Sequence, residues 1–154
     1  MTTSTLQRAV PTELQVLVWS GQLQKTTFHE YSAIRLLSNA VCCVHNAKNR
    51  DFSAMGRFFM ANEGIHSLCL GVLYLHGLLP TGLVGHRSMT MQVGCEQMHL
   101  PHALRDQILY ANTHRELISY GSTEPVEEDE ACHLTGLGDS AITQARYVFP
   151  DWFI

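Results

Sequence analysis

Apolar residues recur along this chain with a helical period. From about Phe28 to Lys48 two adjacent stripes run together: Ala33, Leu36, Ala40, Cys43, Ala47, and Ile34, Leu37, Val41, Val44. So wide an apolar face predicts a helix packed inside a bundle. The strongest pattern spans about 52 to 78, where Phe58, Ala61, Ile65, Leu68, Val72 and Leu75 alternate three- and four-residue steps, the seam spacing of packed helices. Asn49-Arg50-Asp51 predicts the turn before it, with Asp51 as its N-cap. Gly77 and Leu78-Leu79-Pro80-Thr81-Gly82 end it.

The flanking patterns are weaker. Residues 1 to 10 read as a loose polar start, and Pro11 opens a short helix through Leu14, Leu17 and Val18 to near Gly21. A loop to Gly85 precedes a weak helix over 87 to 97. Pro101 then starts a helix with the stripe Leu104, Ile108, Ala111, Ile118, and Arg115 stands where the next apolar residue belongs. A cation on a core-facing stripe is costly to bury, so it predicts either a paired cation or one set at a cleft for use. Tyr120-Gly121 breaks this helix, a loop runs to Pro125, and Glu127-Glu128-Asp129-Glu130 occupies the first turn of a last helix, where negative charge suits the dipole. The acidic run reads as a solvated helix start. The last apolar stripe is Ala131, Leu134, Ala141, Ala145 and Val148, weakened by Gly136 and Gly138.

No segment alternates with a period of two. The expected fold is therefore all-α: an up-and-down helical bundle of four main helices with short additional helices. It divides into an N-terminal segment at 1–27, the bundle at 28–148, and a tail at 149–154 whose three aromatics are expected to be buried.

Composition narrows the function classes. At 154 residues and 45% hydrophobic the chain can bury a core without staples. A net charge of −4 with no Lys/Arg cluster excludes a large basic DNA-binding face. It leaves room for a small RNA-contacting groove, including one between two subunits. Five cysteines without a CxxC pair, and a start that lacks a charged-then-apolar order, predict reduced thiols and a cytoplasmic location. Cys42-Cys43 reads as two buried small hydrophobes. The most apolar stretch, about 65 to 79, carries His66, Ser67, Tyr74 and His76 and reads as a core helix, with no membrane span expected.

Three segments carry a family likeness. Asp51-Phe52-Ser53-Ala54 followed by Arg57 through His66 is similar to a helix that opens "Y-x-x-A" and has a small, apolar body. Gly77-Leu78 with Gly85-His86-Arg87 is similar to a "G-L … T-H-R" connection. His114-Arg115-Glu116-Leu117-Ile118-Ser119-Tyr120-Gly121, then Glu124-Pro125-Val126, is similar to "R-N-x-x-x-Y-G … P-V-T-x-E-x-A". In order and spacing these resemble the HEPN domains, small helical bundles of bacterial toxin–antitoxin and defence systems. The resemblance implies a homodimer, an RNA or nucleotide ligand and an antitoxin protein as partner. RNA-cleaving members carry Arg and then His after four to six residues. Here Arg115 matches, but Tyr120 follows after four intervening residues and the next His is His133. The resemblance thus implies a non-catalytic or degenerate member that binds nucleic acid, nucleotide or protein. An active metal-independent ribonuclease and a purely structural assembly subunit stay open beside it.

Metal-independent RNA cleavage needs a base for the 2′-hydroxyl and a cation for the phosphate. Arg115 suits the second task. Tyr120, a phenol titrating near 10, is a poor base at neutral pH. Asn112, one turn before Arg115, shares its face. The candidate catalytic set is Arg115, Tyr120 and Asn112, and the candidate binding set is Arg115, His114, Glu63 and His66. The structural alternative pairs Arg115 with Glu63, Glu116 or an acid of the last helix, and sends the Tyr120 hydroxyl to a backbone carbonyl. His99/His102 and Glu63/His66 have metal-ligand spacings, but neither has further ligands in sequence, so no metal and no cofactor is expected.

Overall fold

The computed structural model describes residues 7–153. The first six residues of the expected polar start, and Ile154 of the tail, lie outside the described residues. Six α-helices and two short strands follow in the order α1 (Thr12–Trp19), β1 (Leu23–Lys25), α2 (Glu30–Asn46), α3 (Ala54–Leu75), β2 (Leu78–Pro80), α4 (His86–Gln97), α5 (His102–Ser119) and α6 (Glu128–Val148). A 3-10 turn at Pro150–Trp152 closes the described chain.

The long apolar helix α3 lies at the centre. Its residues Phe58, Ala61, Ile65, Leu68, Cys69 and Val72 are buried among Ala33, Leu37, Ala40 and Val44 of α2, Met91 and Cys95 of α4, Ile108 of α5, and Ala131, Leu134, Ala141 and Ala145 of α6. Two glycines let the backbones close on Val44: a Cβ at Gly64 would lie 2.8 Å from its Cγ2, and one at Gly138 would lie 2.9 Å from the same atom. Gly138 is thus a contact point between α6 and α2 instead of a weakness in α6.

Several expectations are corrected. Two strands exist, pairing antiparallel with Leu23 opposite Pro80, Gln24 opposite Leu79 and Lys25 opposite Leu78. Each strand is three residues long, too short for alternation to register, and they pair across the whole of α2 and α3. Leu23 and Leu78 of this ribbon bury with Leu14, Leu73 and Val93 in a second small core, which fastens the N-terminal segment. The N-cap of α3 is Ser53, not Asp51: its Oγ accepts from the Gly56 amide at 3.0 Å. The helix consequently starts later than the apolar pattern suggests, and it stops at Leu75 because Leu78 belongs to β2.

The buried cation is not Arg115. Arg57 of α3, only 2% exposed, donates from Nε to the Ala47 carbonyl (2.8 Å), from Nη1 to Glu128 and from Nη2 to Cys132 Sγ (3.5 Å). The acidic start of α6 is therefore partly tied down: Glu128 holds Arg57, and Glu130 holds His114. Cys42 is exposed, on the side of α2 away from the buried stripe of Ala33, Leu37, Ala40 and Val44, and Cys43 is partly exposed at the edge of that stripe. Of the three aromatics of the tail, Phe149 and Trp152 are buried, Trp152 edge-on to Phe28 at 5.8 Å, while Phe153 is only partly buried.

Candidate anion site at Arg87 and Arg115

Three helices bring charged and amide side chains together at one place. On α3, Phe59, Asn62, Glu63 and His66 are spaced i, i+3, i+4 and i+7, so they share one face. Helix α4 contributes Arg87 and Ser88 from its first turn, and α5 contributes Asn112, Arg115 and Glu116. The turn into α4 depends on Gly85, whose φ of +79° is left-handed.

Arg87 is the centre. The positive end of the helix dipole opposes a cation in a first turn, so its position is held by specific partners. Its Nε donates to Asn112 Oδ1 at 3.0 Å and its Nη1 to His66 Nδ1 at 2.9 Å. Nη1 and Nη2 both face Glu63 Oε2 at 3.3 Å. Asn112 is fully buried, and its Nδ2 donates to Ser88 Oγ (3.0 Å) and more weakly to Glu116 Oε1 (3.4 Å).

The charges here perturb one another. Burial, and after it the neighbouring Arg115 guanidinium, lower the pKa of Arg87 from its ordinary value. Glu63, beside the His66 ring and the Arg87 guanidinium, is held at about 2. Although the ring weighs first in that shift, its Nδ1 stands 3.9 Å from Glu63 Oε1. That is beyond hydrogen-bond range, so Arg87 is the carboxylate's bonding partner. Burial, above all, keeps His66 neutral by lowering its pKa. With Nδ1 accepting from Arg87, its proton is on Nε2, which is buried without a partner.

Arg115 is only partly exposed, and its guanidinium lies over the Phe59 ring, 5.7 Å from the centroid. Among the described residues it makes no ion pair, so the expected pairing with Glu63, Glu116 or α6 is not what the chain adopts. Asn62, one turn from both Phe59 and His66, is fully buried with neither amide atom hydrogen-bonded.

The structure thus joins three of the six candidate residues, Glu63, His66 and Asn112, through Arg87, and sets a fourth, Arg115, over Phe59 on the same α3 face as Glu63 and His66. It does not bring His114 or Tyr120 to them. The His114 ring packs 5.4 Å from that of Phe58, and its Nδ1 pairs with Glu130. Tyr120 caps the C-terminus of α5 with 89% of its surface exposed, and among the described residues its hydroxyl reaches no carbonyl. Sequence reasoning missed Arg87 and Ser88 as site residues. The available signal was a cation placed just after a glycine turn, at the end of a helix that disfavours it.

The arrangement holds one guanidinium, Arg87, on Asn112, His66 and Glu63, and a second, Arg115, over Phe59. Its imidazole is not free to take a proton, because Nδ1 is engaged by Arg87 and Nε2 is enclosed. No family model, curated protein or solved structure matches this chain.

Proposed function

We propose that this chain is a HEPN-like, non-catalytic module that binds a phosphate-bearing ligand, RNA or a nucleotide, at Arg115 and Arg87. The observation that carries the reading is Arg115: a guanidinium with no ion pair among the described residues, held over Phe59 on the α3 face that also carries Glu63, the carboxylate partner of Arg87. Arg87 is paired with Glu63, whereas Arg115 adds a cation that no carboxylate pairs among the described residues, in a chain of net charge −4. The binding reading is favoured over cleavage because the His66 ring is committed to Arg87 and Tyr120 stands at the exposed C-terminal end of α5.

In this reading the long helices α2, α3, α5 and α6 form the up-and-down bundle, and the module works as a homodimer in a toxin–antitoxin or defence setting. Exposed Tyr110, Leu117 and Tyr120 on and beside α5 supply apolar surface for the second copy.

The test is fluorescence anisotropy with labelled single-stranded RNA at low salt, wild type beside Arg115→Ala, with the RNA then examined on a gel. Loss of one charge-assisted phosphate contact weakens binding by about tenfold. Expected are that loss, a shallower salt dependence and intact RNA. Equal affinity of the two proteins, or cleavage without metal, overturns the reading.

A further inference from the structure

We propose that the cleft between α2 and the β1–α2 connection is a second ligand site, one that takes a small phosphate ester with a hydroxyl-bearing body, of the sugar-phosphate class. It uses neither Arg115 nor Arg87.

The cleft has two walls and a floor. On α2, Ser32, Arg35 and Asn39 are spaced i, i+3 and i+7, so they share one face, outside the buried stripe of Ala33, Leu37 and Ala40. The facing wall is the connection from β1, which contributes Thr26, Thr27 and His29. Leu36, Tyr74 and Leu79, each buried or partly buried, form the floor. The space between is about 730 Å³, the size of a small-molecule site.

Both walls are held in place before a ligand arrives. Tyr74 is buried, and its hydroxyl accepts from the His29 amide at 2.9 Å and donates to the Thr27 carbonyl at 3.2 Å. The Phe28 ring stacks on the Tyr74 ring at 5.5 Å, and the Thr26 amide donates to the Gly77 carbonyl at 2.9 Å. The backbone of the connection is thus engaged, while its Thr and His side chains line the cleft. On the other wall Asn39 Nδ2 donates to Ser67 Oγ at 3.3 Å, and that hydroxyl donates to the Leu36 carbonyl at 2.8 Å. A site ordered in advance loses less freedom when it binds.

The lining selects the ligand. Arg35 is its one permanent cation, and no carboxylate lines the cleft. On α2 the positions one turn from Arg35 are Tyr31, Ser32, Ser38 and Asn39, none of them acidic. In a chain with 14 Asp and Glu against 10 Lys and Arg, that is not the general pattern. The cavity between α2 and the tail, by contrast, sets Glu30 and Asp151 beside Arg146. An ammonium group or metal ion would find no opposite charge in the cleft, whereas an anion finds Arg35.

A guanidinium takes two phosphate oxygens by parallel bonds. A third oxygen is then left for Ser32, one turn before Arg35, which a carboxylate lacks. The hydroxyls of Thr26 and Thr27 and the Asn39 amide both donate and accept, and so complement the hydroxyls of a sugar. Leu36, Leu79 and the Tyr74 ring offer apolar surface to its C–H face.

The experiment follows amide proton–nitrogen correlation spectra of the full chain at neutral pH. Ribose 5-phosphate, inorganic phosphate, ribose and glucuronate are titrated separately into wild type, Arg35→Ala, Ser32→Ala and Arg115→Ala. Arg35 is exposed and Ser32 partly so, and circular dichroism confirms that each variant is folded. Ribose 5-phosphate is expected to shift the amides of Thr26, Thr27, Ser32 and Asn39. Its affinity should fall about tenfold in Arg35→Ala and about threefold in Ser32→Ala, and stay the same in Arg115→Ala. The other three probes should bind more weakly in wild type. If neither ribose 5-phosphate nor phosphate moves these amides, or if Arg35→Ala binds as wild type does, the site is overturned. Shifts confined to the surroundings of Arg87 and abolished by Arg115→Ala would overturn it too, while upholding the binding reading given above. Inorganic phosphate binding as tightly as the ester would reduce the cleft to a holder of free anions and overturn the sugar-phosphate class.

Discussion

The Nε–H of Arg87 donates to Oδ1 of Asn112 across 3.0 Å, and through this bond the first turn of α4 is joined to the middle of α5. Neither residue is at ease alone. Arg87 opposes the dipole of its own helix, and Asn112 is an amide with no exposed surface. Each is satisfied by the other, which explains why two polar side chains persist where three helices meet.

Replacing Asn112 by Ala removes an acceptor from Arg87 and a donor from Ser88 in a site water does not readily reach. A buried polar group left unpartnered costs about 1–3 kcal/mol, so Asn112→Ala is expected to lower stability by about 3 kcal/mol in urea unfolding. Since Arg87 then loses its rigid inner partner, RNA binding should also weaken. An unchanged unfolding midpoint would show that the Arg87–Asn112 bond is not made in solution.

Arg57 and Glu128 give a second test. Removing one partner of a fully buried pair costs about 3–5 kcal/mol. Here Glu128 is 50% exposed, and Arg57 keeps the Ala47 carbonyl. Glu128→Ala is accordingly expected to cost about 2 kcal/mol, read as a lower thermal midpoint. Glu127→Ala, just before α6, should leave that midpoint nearly unchanged and serves as the control.

The difference between these two arginines and Arg115 marks what the sequence pattern can resolve. A stripe at i, i+3, i+4 identifies the face of a helix that turns inward, and the stripes of α2, α3 and α6 are where the core is. It does not say how deep each position lies. Arg115 continues the apolar stripe of α5, but α5 lies at the edge of the helical body, where Leu104 and Ile118 are only partly buried. Arg57 lies one residue before Phe58, yet it is buried because α6 brings Glu128 over it, seventy-one positions away in sequence. Long-range pairing of this kind leaves no local signature, and the same holds for β1 and β2. Glu63, His66, Asn112 and Arg115 were legible as chemistry-bearing residues on helix faces. That Arg87 would join them depended on how α4 packs on α3.

Stability should fall as the solution is made acidic, in two steps. His66 and His76 have pKa values lowered from 6.5, with burial the leading cause in both. Below about pH 6.5 the unfolded chain takes up protons that the folded chain refuses, so stability decreases as pH falls through that window. Glu63, whose pKa is lowered from 4.5 beside His66 and Arg87, stabilises the fold fully above the unfolded value. That contribution is lost as pH falls below 4.5. Urea midpoints at pH 7.5, 5.5 and 3.5 should descend in that order. A variant carrying both His66→Gln and His76→Gln should flatten only the first interval, and an equal drop in that variant would assign the acid sensitivity elsewhere.

Two glycines inside helices should respond to alanine with opposite signs. At Gly94 of α4 a Cβ would lie 2.5 Å from Cys69 Cβ and 2.8 Å from Cys69 Cα. The second of these is backbone and cannot rotate away, so α4 must lift from α3 to admit the methyl group. Overpacking of this kind costs about 3 kcal/mol. The displacement would also draw Arg87, two turns earlier on the same helix, away from Asn112 and His66. At Gly136 of α6 nothing lies within 4 Å of the added Cβ, and the position is exposed. There alanine removes only the conformational freedom of glycine in a helix, and stability should rise by about 0.5–1 kcal/mol. Thermal unfolding of both variants checks the pair, and RNA binding adds a second reading: Gly94→Ala should weaken it, while Gly136→Ala should leave it as it was. If both substitutions were neutral, the close approach of α3 and α4 that positions Arg87 would not exist.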